Sequence, residues 1–144
     1  MASNAADSAP NIFPELAYND APAALEWLAR AFGFVQGEVI EGPEGTIAHA
    51  ELHLGPGTIM LKSPMIEFAM KSPQALGGIN QCLYVAVDDP DAHHQGAKAA
   101  GADILMEPTT MSYGARNYIA RDPEGHLWSF GTYWPRSASE QAPA

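Results

Sequence analysis

His49, Glu51 and His53 alternate along one segment, so on a β-strand their side chains share a face. Two imidazoles and a carboxylate can move protons or hold a metal. His49 beside Glu51 is the candidate catalytic pair, since a carboxylate next to an imidazole suits proton transfer. His49 and His53 are four residues apart, about 13 Å along a regular strand at 3.3 Å per residue. They cannot share one ion there, because His ligands sit about 2 Å from a metal. A site on His49 and Glu51 would need donors from elsewhere. Without them the triplet lines a polar wall or a solvated face.

The elements that would position these residues form a repeat. Asp20, Pro22, Ala24, Ala29, Ala31, Gly33 and Gly57 recur as Asp88, Pro90, Ala92, Ala97, Ala99, Gly101 and Gly125, an offset of 68 without gaps. A unit of that length is a module larger than a solenoid repeat. The pattern predicts two βαβββ modules, 11–62 and 79–135, joined by a linker at 63–78, and hence one domain at 11–135. The first module reads as a strand over 12–18, a helix capped by Asp20 and closed by Gly33, then strands over 34–41, 46–54 and 58–62. The alternation over 46–54 sends Ala48, Ala50, Leu52 and Leu54 to the helix side. The second module reads as a strand over 79–87, a helix capped by Asp88 or Asp89, and strands over 104–107, 115–121 and 126–133. Met65, Ile66, Phe68 and Met70 give the linker an apolar surface, expected to pack or to cover a pocket. His93 and His94 are expected on the outer side of the second helix. The tails, 1–10 and 136–144, are rich in Ala, Ser and Pro and are read as flexible.

The chain has 144 residues and a formal net charge of −10. Such a charge repels nucleic acid and anionic membranes and attracts cationic small molecules. No apolar run is long enough to cross a bilayer, and the N-terminus lacks the pattern of a secretory signal. Cys82 is the only cysteine, which excludes an internal disulfide. A cytoplasmic location is expected.

The paired modules, the segment His49-Ala50-Glu51-Leu52, and the run from Tyr113-Gly114-Ala115-Arg116 through Asp122-Pro123-Glu124-Gly125-His126-Leu127-Trp128 resemble the vicinal oxygen chelate superfamily. That group includes glyoxalase I, extradiol dioxygenases and bleomycin-resistance proteins. The resemblance covers about 11–135. It implies an α+β fold in which two βαβββ modules form a curled mixed sheet enclosing a cup. It also implies a homodimer.

Metal-dependent members carry one ligand on the first and one on the last strand of each module. Counting from the capping Asp and the turn glycines puts those positions at Phe13, Leu61, Cys82 (or Gln81) and Ser129. Phe13 and Leu61 have no donor atom, and Ser129 is a poor one. The expectation is therefore no cofactor, the alternative being one divalent metal. The cup wall is expected to include Phe13, Glu15, Leu61, Cys82, Tyr84 and Ser129, with Tyr113 and Arg116 at the mouth. Arg116 would meet an acid of the ligand, or else Asp122 or Glu51. Trp128 and Phe130 should face the helix, and His126 should hold a backbone group. The function these residues imply is binding of a small organic molecule, cationic or aromatic, and the resemblance to bleomycin-resistance proteins implies resistance to an antibiotic or toxic compound by sequestration. The alternative is a lyase, isomerase or dioxygenase-like enzyme using His49 and Glu51, with or without a metal.

Overall fold

The structure, a computed structural model, describes residues 9–136. The expected tails lie outside the described residues apart from positions 9, 10 and 136. Among the described residues, eight strands and three α-helices follow one another: β1 (Glu15–Ala17), α1 (Ala21–Phe32), β2 (Val35–Glu41), β3 (Ile47–Leu54), β4 (Gly57–Lys62), the short α2 (Pro73–Leu76), β5 (Cys82–Ala86), α3 (Pro90–Ala99), β6 (Asp103–Thr110), β7 (Arg116–Arg121) and β8 (Leu127–Gly131). The two βαβββ modules form an α+β fold with two four-stranded sheets, ordered β1-β4-β3-β2 and β5-β8-β7-β6. In each, the first strand runs parallel to the last and the other pairs are antiparallel.

Local chemistry explains the boundaries. Asp20 accepts from the Ala23 N–H and Asp89 from the Ala92 N–H, so each helix opens on a carboxylate cap. Gly33 closes α1 at φ 85°, a left-handed conformation that a side chain would strain. The first strand is shorter than expected because Pro14 has no N–H to donate. Its carbonyl still accepts from Met60 N at 2.8 Å.

The two caps are 69 positions apart, whereas Gly33 and Gly101, both at positive φ, are 68 apart. The strand rows follow the longer spacing. Leu16 opposite Leu61 matches Val85 opposite Phe130, and Glu15 opposite Met60 matches Tyr84 opposite Ser129. A single-residue slip in a strand reverses every side chain. Leu61 therefore does not line the cup. It is fully buried on the helix side, and Met60 holds the position equivalent to Ser129.

Both sheets bury one face in the same core. Leu16, Ala50, Leu52, Ile59 and Leu61 come from the first sheet, and Tyr118, Ala120, Trp128 and Phe130 from the second. α1 and α3 lie against each other, with the Trp27 indole N–H donating to the Ala100 carbonyl at 2.8 Å. Phe32 at the end of α1 meets Trp128 and Phe130 of the other module, at ring separations of 5.2 and 4.7 Å. Trp128 and Phe130 are thus core, as their alternation predicts.

Other expectations need correction. His93 is not on the outer side of its helix: it bridges the Tyr118 hydroxyl (2.5 Å) and the Phe32 carbonyl (2.8 Å). His94 is buried too, 3.0 Å from Glu107. Ala48 is exposed because the β2–β3 register shifts between Ile40 and Glu41, which leaves it out of the pairing. Within the linker, Ile66 and Phe68 sit in a 3-10 turn with their side chains exposed rather than packed.

Candidate functional site

Since both sheets turn one face to the shared core, their other faces look away from it. Within one chain these open faces do not meet, and the two sheets share no hydrogen-bonded ladder. The expected cup is present as two separate halves.

The half built by the first module is charged. Glu15, Met60 and Glu51 form one row across β1, β4 and β3. Lys62 reaches Glu15 at 2.8 Å, which neutralises that carboxylate. His49 Nε2 lies 2.9 Å from a Glu51 oxygen, and His53 Nε2 lies 3.9 Å from the other. His53 Nδ1 is 2.9 Å from the Thr58 hydroxyl. The strand therefore brings His49, Glu51 and His53 to one open face, as their alternation predicts. Phe13 precedes β1 and is 39% exposed.

One member of this face was missed. Gln36 opposes Leu52 and Val39 opposes Ala50, so Gly37 and Glu38 together oppose Glu51. This is a β-bulge, which adds a residue and re-aims its neighbours. It places a Glu38 carboxylate oxygen within 4.8 Å of donor atoms of His49 and Glu51. Strict alternation hides such a residue; the glycine inside a strand was the available signal.

The half built by the second module is mainly aromatic, with the Arg121–Asp103 ion pair (3.6 Å) at the end of its row beside Leu127. Cys82, Tyr84 and Ala86 on β5 run beside Leu127, Ser129 and Gly131 on β8, with Asn117 and Ile119 beyond on β7. The Tyr84 hydroxyl donates to the Tyr133 carbonyl at 2.5 Å, and its ring crosses Gly131. A β-carbon there would stand 2.9 Å from the Tyr84 oxygen, so the glycine makes room for the ring. Tyr84 has a raised pKa, first from partial burial and then from Tyr113 nearby. Tyr113, Tyr133 and Trp134 are well exposed, and Trp134 shares a groove with Tyr84. Cys82 is exposed, and partial desolvation raises its thiol pKa, which disfavours the reactive thiolate.

Arg116 does not sit free at the mouth. Its guanidinium grips both oxygens of Asp91 at 2.7 and 2.9 Å, and this pairing lowers the carboxylate pKa. Neither Asp122 nor Glu51 is its partner. Asp122 is buried and accepts from the Tyr18 hydroxyl (2.6 Å) and the Trp128 indole (3.0 Å). It also accepts from the backbone N–H groups of Glu124 and His126. Glu124 accepts from the N–H groups of Asn19 and Asp20 and from the Ser72 hydroxyl. His126 lies 2.9 Å from the Ala17 carbonyl, in the backbone role expected of it. The Asp-Pro-Glu-Gly-His-Leu-Trp run thus fastens the second module to the first.

The residues do not fit a metal on the first and last strands. Across those strands the open-face positions are Glu15, Met60, Tyr84 and Ser129, with Phe13 and Cys82 nearby. Only Glu15 is a carboxylate, and Lys62 already neutralises it. A thioether, a phenol and an alcohol complete a poor set for a divalent ion.

Comparisons with known proteins agree with this geometry. The family model described as Glyoxalase/Bleomycin resistance protein/Dioxygenase superfamily matches residues 12–130. TioX from Micromonospora sp. ML1 is 36% identical, with a TM-score of 0.66, over 90% of this chain and 100% of that one. Glyoxalase I from Zea mays shares the fold at 20% identity and a TM-score of 0.67, over 84% of this chain and 43% of that one. Uncharacterized protein Rv0887c of Mycobacterium tuberculosis is 32% identical over 125 residues, 85% of this chain and 74% of the relative. No described helix is long and apolar enough to cross a membrane. The chain belongs to the glyoxalase/bleomycin resistance protein/dioxygenase superfamily.

Proposed function

We propose that this protein binds a small organic molecule, aromatic and preferably cationic, in a cup that two copies complete. The charged face of one chain would stand opposite the aromatic face of the other, and the reverse pairing would form a second cup. The observation that carries this reading is the outward orientation of both faces. Glu51 and Tyr84 belong to sheets that bury their opposite sides in one core, so only a second chain brings the two kinds of wall together. Aromatic surface offers stacking, and unneutralised carboxylate offers attraction for a cation. The net charge of −10 favours the same ligands. Sequestration of an antibiotic or toxic compound in the cytoplasm, with no metal on the floor row of the first and last strands, is the role this supports.

The short His49–Glu51 contact favours a second reading, a lyase, isomerase or dioxygenase-like enzyme with His49 as base. Loss of turnover in both His49→Ala and Glu51→Ala would establish it, and unchanged turnover would remove it.

Fluorescence titration with planar aromatic cations and neutral bicyclic aromatics, in the presence of EDTA, tests the binding reading. Saturable binding of the cations, at one molecule per chain in a dimer, is the expected result. A monomer that binds none of them at millimolar concentration contradicts it.

A further inference from the structure

The charged face carries a feature that organic-ligand binding does not require. Glu38, His49 and Glu51 come from two adjacent strands, and one donor atom of each lies within 4.8 Å of the others. Donors around a single first-row ion, each about 2.1 Å from it, are separated by about 3–4 Å. Small side-chain rotations close that difference, and the His49–Glu51 separation of 2.9 Å is already short.

The backbone arranges this convergence. The bulge at Gly37 and Glu38 adds a residue opposite Glu51, just where regular pairing would have sent Glu38 to the helix side. Gly37 also leaves the space that the His53 ring occupies, since a β-carbon would stand 2.4 Å from its Nε2. Among the described ion pairs, neither Glu38 nor Glu51 has a Lys or Arg partner, while Glu15 on the same face has Lys62. Two carboxylates and an imidazole thus share one region, without a Lys or Arg among the described ion pairs.

We propose that Glu38, His49 and Glu51 form a divalent-cation site on the open face of β2 and β3, suited to Zn2+ or Mn2+. One nitrogen and two oxygens are donors that both ions accept, and exposed Glu38 leaves coordination positions for water or a ligand group. The site is separate from the first and last strands. It does not rest on the proposed cup, which is tested with EDTA present.

The test is calorimetric titration of the EDTA-stripped, dialysed full chain with Zn2+ and Mn2+, with visible absorption of Co2+ as a spectroscopic readout. The expected result is one equivalent per chain for at least one ion. Glu38→Gln and His49→Ala should each weaken binding about tenfold or more, while Cys82→Ser should leave it unchanged. Far-UV circular dichroism confirms the fold of each variant, and exposed Glu38 is the variant least coupled to folding. The absence of saturable binding, or equal binding by the Glu38→Gln and His49→Ala proteins, would overturn the site.

Discussion

The two modules share strand order, pairing sense and a carboxylate helix cap, yet their open faces differ in chemistry. The first presents Glu15, Glu38, His49, Glu51, His53 and Lys62. The second presents Cys82, Tyr84, Asn117, Ile119, Leu127 and Ser129, and its charges, Arg121 and Asp103, neutralise each other at one end. Their helix sides stayed alike, because each must bury an apolar surface in the common core. Duplicated architecture thus constrains the inner faces and leaves the outer faces free to diverge. A difference of this kind makes two complementary walls, whereas two equal faces would make two copies of one wall.

The largest expected effect comes from breaking the fastening that sets one module against the other. Asp122→Ala removes a buried acceptor and strands the Tyr18 hydroxyl and Trp128 indole. It should cost about 3 kcal/mol of stability, measured by urea unfolding. A loss below about 1 kcal/mol would mean that the Asp122 bonds contribute little to holding the modules together.

The faces themselves are separated by ligand. Tyr84→Ala should weaken every aromatic ligand about tenfold, whereas Glu51→Gln should weaken cations and spare neutral aromatics. Equal losses in both variants for both ligand classes would erase the proposed division between the walls. Titration fluorescence reads both.

A smaller effect concerns His93, held between the halves. Burial lowers its pKa below the usual imidazole value of about 6.5. The unfolded chain therefore takes up this proton first as the pH falls. The neutral ring's contribution is complete above about pH 6.5 and is lost as acidity moves through the folded value. His93→Gln should flatten the fall in stability as the pH drops below about 6.5. An unchanged slope would show that other groups govern it. The smallest effect is expected at Arg116. Its partner Asp91 is exposed, so Arg116→Ala should leave both thermal midpoint and ligand affinity unchanged.

Much of this comparison was legible in the sequence. The repeat gave two modules. Asp20 and Gly33 marked the first helix, and the alternation of His49, Glu51 and His53 gave their common face. Leu61 was misplaced for a definite reason. The repeat spacing is 68 at the helix ends but 69 at the caps and strand rows, and one residue reverses a strand's faces. Glu38 was hidden by a bulge, which breaks the two-residue period used to find faces. Arg116 and Asp91 are 25 positions apart, and Tyr18 and Asp122 are 104 apart. The first pair is set by how α3 packs on its own sheet and the second by how the modules dock, and sequence spacing carries no signal for either.

The apposition of unlike faces from two chains is the central claim, and Cys82 allows a direct measurement. It is the only cysteine and it is exposed on the aromatic face. Glu51→Cys adds a second thiol on the charged face. Treatment with a short bis-maleimide, followed by denaturing electrophoresis and peptide mass spectrometry, identifies which thiols were joined. The account predicts covalent dimers linked from position 51 of one chain to Cys82 of the other, with the unsubstituted protein remaining uncrosslinked. A link between positions 51 and 82 within a single chain, or no such link at any protein concentration, would contradict it.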